Sequence, residues 1–287
     1  MTVASEVCLA LDQLPPLPDT VFRLIQLFDR PDSTVEEIVE CLRYDAVVTA
    51  DVLRLCNSAH FGLGRSVTSL HEAIRYLGSL RMLQIVLARH AGPLLAREQQ
   101  GYGLGPGRLW QHSVAVALAS AGFAKRILVQ DNRLAFTGGL LHDIGKIALN
   151  APVGAALGAI LRTAEGQGIS FVEAEERVLD WSHEKIGADL ARSWGLPEPI
   201  VRCIQYHHDP GPLAPPDPLV DAVHLANSVC LMFGIGLGVE GLLSRAEPAV
   251  LRRHGLNETT CEEVGMEMLA ELHAVEDLFA GPSQRPA

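Results

Sequence analysis

Gly138-Gly139-Leu140-Leu141-His142-Asp143-Ile144-Gly145-Lys146 is the stretch from which the rest of the chain is interpreted. A histidine and an aspartate stand side by side at the end of an apolar helical run, and a glycine and a lysine follow them. Adjacent residues on a helix point about 100° apart, so both side chains reach one ion only near the helix end, where the chain turns at Gly145. The pair indicates a metal site only if other ligands lie nearby.

Further histidines supply candidates for those ligands. His112 lies upstream of the pair, His183 lies downstream, and the doublet His207-His208 follows. Imidazole and carboxylate groups that converge from several helices are a common way for helical proteins to hold transition metals. The simpler interpretation is a set of core histidines that are hydrogen-bonded to their neighbours. Both interpretations remain open at this point.

The composition is that of a folded protein with a sizeable core. The chain has 287 residues, and 48% of them are hydrophobic, which is enough for two packed units. The net charge of −11 argues against binding to nucleic acid, because neutralising phosphates needs clustered lysine and arginine. We therefore expect no nucleic-acid partner.

Neither a leader peptide nor a membrane span is expected. Residues 1–13 lack a basic region followed by an apolar core. The most apolar stretch, Val229 to Leu243, is short and is interrupted by Glu240. The six cysteines form no C-x-x-C pair, which suits reduced thiols rather than a disulfide framework or a zinc ribbon. We predict a cytoplasmic protein with no membrane partner.

Helix signals recur along the chain, and strand signals do not. Serine or threonine three residues before glutamate predicts a capping box, and single aspartate or serine residues predict N-caps. Apolar residues follow these signals at helical spacing, and no segment alternates with period two over a useful length. The fold class predicted is all-α. The boxes are Ser33/Glu36, Ser69/Glu72, Ser170/Glu173 and Thr260/Glu263, and the single caps are Asp19, Asp45, Asp131 and Ser182.

A glycine-rich stretch, Gly101-Tyr102-Gly103-Leu104-Gly105-Pro106-Gly107, interrupts the helical pattern. No strand precedes it and no Lys-Ser/Thr pair follows, so it does not match a phosphate-binding loop. We interpret it as a flexible joint between two helical units. This predicts an N-terminal helical lobe over residues 1–100, a joint over 101–108, and a second lobe with a C-terminal helical extension over 109–287.

Two sets of motifs occur in order along the chain. The first set is Leu14-Pro15-x-Leu17-Pro18, Leu53-Arg54-Leu55-x-Asn57-Ser58-Ala59-x-Phe61-Gly62 and Ser69-Leu70-x-x-Ala73-Ile74-x-x-Leu77-Gly78; the second is Trp110-x-His112-Ser113, the stretch around His142, His183-x-x-x-Gly187, Trp194-x-Leu196-Pro197 and His207-His208. Together they resemble the HDOD domain family, over about residues 14–232. The resemblance implies a compact all-α fold in bacterial signalling proteins, related to HD-type metal-dependent phosphohydrolases. It also implies that most members lack hydrolytic activity and act through protein contacts.

The resemblance implies ligand roles and also shows a departure. HD hydrolases hold a metal with a histidine, the His-Asp pair and a later aspartate; the first three match His112, His142 and Asp143. The later position is Asn227, whose neutral amide is a poorer ligand than a carboxylate. His224, three residues earlier and on nearly the same helical face, is a candidate substitute.

The second half of the ligand set also departs from active relatives. His183, His207 and His208 correspond to the ligands of a second ion in the two-metal relatives. The phosphodiesterases of the HD-GYP family carry Gly-Tyr-Pro after the histidine doublet, whereas Asp209-Pro210-Gly211-Pro212 stands here, which argues against cyclic-dinucleotide hydrolysis. Lys146 is a candidate phosphate contact; alternatively, a lysine at a helix end complements the helix dipole.

We therefore predict a non-catalytic signalling module that binds other signalling proteins through its N-terminal lobe. The histidines and Asp143 predict a retained site for iron, manganese or zinc, because imidazole favours transition metals over magnesium. The alternative is a metal-dependent phosphohydrolase acting on a nucleotide or phosphodiester. In that case a metal-activated water attacks phosphorus, and Lys146 steadies the phosphate. The metal ligands are then His112, His142, Asp143, His183, His207 and His208.

Overall fold

The regular elements of the computed structural model are helices, and the part of the chain that it describes contains no β-strand. The all-α prediction is therefore confirmed. The chain separates into two compact units: unit 1 comprises Met1–Pro16 and Leu94–Leu272, and unit 2 comprises Leu17–Pro93 and His273–Ala287. The predicted lobe bounds at 100 and 109 stay a prediction. The described residues are 18–30, 32–57, 66–127, 132–239 and 248–279, together with positions 7, 11, 14 and 129.

Unit 2 is built from amphipathic helices in chain order. Helix α1 is Asp19–Asp29, α2 is Val35–Leu42, α3 is Ala46–Cys56, and α4 is Leu70–Leu95, which continues past the unit boundary. Helix α4 is kinked where Gly78 takes the left-handed value φ 75°, so it consists of two helical segments joined at this glycine. The core includes Leu24, Ile25, Ile38, Leu42, Val48 and Val52.

The helix starts of unit 2 confirm some predicted caps and correct others. Asp45 accepts a hydrogen bond from the backbone N–H of Val48 at 2.9 Å, as predicted. The box at α2 is Thr34 with Glu37, so the predicted Ser33/Glu36 box is wrong by one residue. Both pairs have the spacing that a box needs, and only the extended backbone at Thr34 decides between them. At α1 the N-cap is Pro18, and Asp19 is the first helical residue.

Unit 1 carries the longer series of helices. Helices α5 and α6 pack together closely because Gly139 has no side chain: a Cβ there would lie 2.6 Å from Ser120 Oγ and 2.8 Å from Ala117 Cα. Helix α11 packs against the same α5. The bounds are α5 Arg108–Arg126, α6 Asn132–Leu141, α7 Gly145–Gln167, α8 Phe171–Leu179, α9 His183–Ser193, α10 Glu198–Tyr206, α11 Pro218–Met232, α12 Pro248–Arg253 and α13 Glu258–Phe279.

The caps of unit 1 follow the sequence except at α13. The Ser170/Glu173 box opens α8, and the Ser182 side chain accepts the N–H of Lys185 at the start of α9, as predicted. The predicted Thr260/Glu263 box is wrong, because Asn257 accepts the N–H of Thr260 at 3.0 Å and α13 begins earlier. The predicted cap Asp131 lies outside the described residues, as do Glu240 and the motif positions 15–17 and 58–62.

The glycine-rich stretch is a tightly packed part of unit 1. Gln100–Tyr102 form a 3-10 turn, Gln99 and Leu104 form a bridge, and Tyr102 is fully buried. A Cβ on Gly101 would overlap the backbone carbonyl of Asn150. Glycine therefore allows a close approach here, which differs from the flexible joint that we predicted from composition.

One helical run in the described residues, Asn132–Gln167, is long and apolar enough to cross a membrane by length and composition alone. It comprises α6, α7 and the turn between them, and 44% of its most apolar window is buried within the structure. Core helices pass the same test, so this run is weak support for a membrane span.

Candidate metal centre

Asp143 lies in the turn between α6 and α7, fully buried, and its two carboxylate oxygens face different histidines. Oδ2 is 3.1 Å from His142 Nε2 and 3.6 Å from His112 Nε2. Oδ1 is 3.5 Å from His207 Nε2 and 3.6 Å from His183 Nε2. The carboxylate thus stands between two groups of imidazoles.

These groups contain all six side chains that the sequence analysis gave as the metal ligands of a phosphohydrolase. The first metal group is His112, His142 and Asp143; the second metal group is Asp143, His183, His207 and His208. Within each group the ligand atoms lie within 4.8 Å of one another. The structure therefore brings the six residues together, and their ligation of a metal stays a prediction.

Two glycines allow the helix ends to meet at this centre. A Cβ on Gly145, at the start of α7, would overlap the backbone carbonyl of His183, at the start of α9. A Cβ on Gly187 would lie 2.8 Å from Ile204 Cγ2 of α10. Because both positions are glycine, α7, α9 and α10 approach closely enough for their terminal histidines and Asp143 to converge.

Each of four rings has its Nδ1 atom held by an outer acceptor. A carbonyl or carboxylate oxygen only accepts, so Nδ1 carries the proton and Nε2 presents its lone pair towards Asp143. This arrangement is typical of metal-binding histidines. The acceptors are Ile235 O for His112 at 3.1 Å, Gly139 O for His142 at 2.7 Å, Ile204 O for His207 at 2.9 Å and Glu175 Oε2 for His183 at 2.9 Å.

Three atoms of the centre have no hydrogen-bond partner among the described residues: His142 Nε2, His207 Nε2 and Asp143 Oδ1. A buried polar atom left unpaired costs about 1–3 kcal/mol. Ligands at about 2.1 Å from an ion are separated by about 3.0–3.4 Å. The Asp143 oxygens lie at similar distances, 3.1–3.6 Å, from four histidine Nε2 atoms. The donor set and its unpaired atoms therefore fit a transition-metal ion in each group.

Burial sets the charge state of the centre. It lowers the pKa of His112 and of His207 to about 3 each, so both rings are neutral near pH 7. Burial alone would raise the pKa of Asp143, but the interactions with its neighbours His142 and Lys146 outweigh it and hold this pKa well below its usual range. The neutral rings of His112 and His207 and the ionised carboxylate of Asp143 are in the protonation states that metal binding requires.

Lys146 lies in the first turn of α7 and is buried, with Nζ donating to Asp143 Oδ2 at 2.7 Å. The first turn is the positive end of a helix dipole, so the interpretation that this lysine complements the dipole is wrong. Its ammonium also lies 5.6 Å from the ring centroid of Tyr102. The phosphate contact suggested for Lys146 stays a prediction.

His224 and Asn227 both lie on α11 and are buried. His224 is in neither metal group, and its Nδ1 is hydrogen-bonded to the carbonyl of His207 at 2.9 Å. Asn227 Oδ1 has no hydrogen-bond partner among the described residues. The substitution of His224 for the missing ligand stays a prediction, and its position outside both groups does not support it.

Two buried residues next to the centre were missed from the sequence: Tyr102 and Glu175. Glu175 follows Val172 by three residues and precedes Leu179 by four, so it stands on the apolar face of α8. A charged residue on such a face is a detectable signal. Tyr102 carries no comparable signal, because it is surrounded by glycines.

The comparisons with known proteins agree with this fold. The HDOD domain model matches residues 14–210. An uncharacterized protein of Treponema pallidum is 27% identical over 231 residues, which are 78% of this chain and 44% of that protein. Ribonuclease Y of Thermus thermophilus is 28% identical over 171 residues, which are 59% of this chain and 22% of that enzyme. The chain spans less than half the length of these curated relatives.

Solved structures with the same fold include an HDOD domain protein of unknown function from Geobacter sulfurreducens. It has a TM-score of 0.71 and 28% identity, and covers 97% of this chain and 100% of its own. A Shewanella amazonensis protein, described provisionally as a phosphohydrolase, has a TM-score of 0.65 and 26% identity, and covers 93% of this chain and 98% of its own.

Proposed function

This chain belongs to the HDOD domain family, and from that premise we propose that it is a regulatory module that holds transition-metal ions without turning over a substrate. In this proposal it acts in signalling through contacts with other proteins. The observation that carries the proposal is the burial of the centre: His142, Asp143, His183 and His207 are each 0% exposed, and His112 is 2% exposed.

Metal retention is supported by the donor atoms themselves. Four imidazoles are oriented by outer hydrogen bonds, and three ligand-type atoms have no hydrogen-bond partner among the described residues. Imidazole-rich sets favour iron, manganese or zinc over magnesium. The carboxylate of Asp143, which contributes one oxygen to each group, is suited to serve both ions.

Lack of turnover is supported by the closure of the same centre. A metal-dependent hydrolase brings the phosphorus of its substrate next to a metal-bound water, which requires an open coordination position. Here Gly236 lies so close to the His112 ring that a Cβ on it would overlap the ring. Asn227 supplies no charge where hydrolases resembling this chain have a carboxylate. His208 is the ligand candidate that is partly exposed.

The alternative function is a metal-dependent phosphohydrolase. Lys146 favours it, because this buried ammonium lies 2.7 Å from Asp143 Oδ2, beside the two metal groups. The likeness to a ribonuclease and to a provisional phosphohydrolase points the same way. In such a reaction, metal ions held by the two groups would supply an activated water, and Lys146 would neutralise charge on the phosphate oxygens.

Metal content and hydrolysis, measured on the same preparations, test the proposal. Wild type is compared with His142→Ala from the first metal group, His183→Ala from the second, and His71→Ala as an exposed histidine control in unit 2. We expect iron, manganese or zinc in wild type and in the control, less metal in both ligand variants, and no turnover of phosphodiester or phosphomonoester substrates by any of them.

Two results would contradict the proposal in different ways. Hydrolysis by wild type that both ligand variants lose would establish the phosphohydrolase. Absence of metal from wild type, even after incubation with iron, manganese or zinc, would leave a histidine-rich core without a metal function.

A further inference from the structure

Glu175 is a fully buried carboxylate outside both metal groups, and both of its oxygens accept hydrogen bonds. Oε2 accepts from the backbone N–H of His183 at 2.8 Å and lies 2.9 Å from Nδ1 of the same residue. Oε1 accepts from the hydroxyl of Tyr102 at 2.5 Å. The carboxylate therefore links the glycine-rich turn to the first residue of α9.

These bonds determine which nitrogen of His183 is available as a ligand. Because a carboxylate oxygen accepts, and Oε2 also accepts the backbone N–H of His183, we place the ring proton of His183 on Nδ1 and the lone pair on Nε2. That lone pair lies 3.6 Å from Asp143 Oδ1 and 3.1 Å from His208 Nε2, inside the second metal group. His112, His142 and His207 are held by backbone carbonyls instead, which substitution cannot remove.

Tyr102 is held in place from two directions. The N–H of Gly101 donates to Asn150 Oδ1 at 2.8 Å, and Asn150 lies one turn after Lys146 on α7. The carbonyl of Tyr102 accepts from the N–H of Val239 at 3.0 Å. The absence of a side chain at Gly101 allows this approach to α7. The glycines thus place the Tyr102 hydroxyl on Glu175.

We propose that Glu175 and Tyr102 are positioning residues of the second metal group, with Glu175 fixing the tautomer of His183 and Tyr102 fixing Glu175. This inference rests on the proposed metal-holding function. Outer-shell partners of metal-ligating histidines typically change metal affinity by about 10–100-fold when they are replaced. The effect is expected in the second metal group and not in the first.

Titration of the metal-free full chain with Co²⁺, followed by its visible absorption, measures the two groups separately. His112→Ala and His183→Ala identify which binding step belongs to which group. We expect Glu175→Gln to weaken the His183 step by about 10–100-fold and Tyr102→Phe to weaken it by about 10-fold, with the other step unchanged. The matched controls are Glu176→Gln, whose side chain is 44% exposed and which is next along α8, and Tyr44→Phe, exposed in unit 2.

Nitrogen-15 NMR of the histidines in metal-free protein gives a second readout that a purely structural role would not move. Wild type and Tyr44→Phe are expected to show His183 protonated at Nδ1, whereas Glu175→Gln is expected to lose this fixed tautomer. Tyr102→Phe removes only a hydroxyl, so it tests the proposal even if Glu175→Gln fails to fold.

The outcomes distinguish a failure of this inference from a failure of the proposed metal-holding function. Unchanged Co²⁺ affinity at the His183 step in the folded variants overturns the positioning roles while leaving metal binding intact. Equal weakening of both steps overturns them too, because it indicates a general loss of structure. Absence of Co²⁺ binding by wild type contradicts the proposed function, and the tautomer measurement still decides the role of Glu175.

Discussion

Acid is expected to destabilise the metal-free protein through its buried histidines. The pKa of His112 and of His207 is lowered by burial to about 3 in the folded state, against an ordinary value of about 6.5 for the unfolded chain. Between these values the unfolded chain binds more protons than the folded one. The free energy of unfolding is therefore retained above about pH 6.5 and falls as the pH decreases towards 3.

The magnitude follows from the size of the pKa difference. At pH 5 an unfolded imidazole is about 1.5 pH units below its pKa and mostly protonated, while the folded ring is still neutral. At about 1.36 kcal/mol per unit, each of the two histidines loses about 2 kcal/mol of stability relative to neutral pH. Together they account for about 4 kcal/mol, a large part of a typical stability of about 5–15 kcal/mol.

Urea unfolding of chelator-treated protein at pH 7 and pH 5, followed by helical circular dichroism, measures this loss. His112→Gln replaces a titrating ring with a neutral amide, so its loss between the two pH values should be about 2 kcal/mol smaller than that of wild type. The exposed-histidine control His71→Gln should match wild type. If His112→Gln keeps the full pH dependence of wild type, the assignment of this stability to the buried ring is wrong.

Three further predictions concern the metal and the partner surface. Asn227→Asp replaces a buried amide, whose oxygen has no hydrogen-bond partner among the described residues, with a carboxylate, and should tighten Co²⁺ binding by about 10-fold; unchanged affinity would show that this position is no ligand. Metal at about 100 times its dissociation constant should raise the free energy of unfolding by about 2.7 kcal/mol, which excess chelator reverses; a smaller gain would indicate weak or absent binding to the folded state. Charge reversal at the exposed residues Arg23, Arg43 or Arg75 of unit 2 should reduce capture of partner proteins without loss of helicity, whereas Arg192→Glu on unit 1 should not, and the opposite pattern would place the partner surface on unit 1.

The sequence predicts the fold well because helices depend on local signals. Apolar periodicity and caps such as Ser170 and Ser182 determine helices from a few neighbouring residues. The ligand candidates could be named because the HDOD resemblance orders His112, Asp143 and the later histidines along the chain. Local spacing leaves ambiguities of one residue, as at Thr34, where two overlapping boxes fit equally.

The residues that the sequence did not reveal depend on contacts between distant parts of the chain. The hydrogen bond between Tyr102 and Glu175 joins residues 73 positions apart, and nothing near either residue specifies the other. Composition suggested flexibility around Gly101, whereas its role is a close approach to Asn150 that only the packed helices define. Whether Lys146 lies at the positive or the negative end of a helix dipole likewise depends on where α7 begins.

Burial argues against turnover, and it also makes metal occupancy important for the structure of unit 1. The two metal groups draw their ligands from α5, the turn before α7, the start of α9 and the end of α10. An ion can meet all of its ligands only when these elements are packed together, so its binding free energy favours the packed state. Without an ion, the unpaired nitrogens of His142 and His207 oppose the same packing. In the proposed function, a closed centre of this kind would convert the presence of a metal into rigidity of the surrounding helices, which suits a protein that acts through contacts better than one that must admit a substrate.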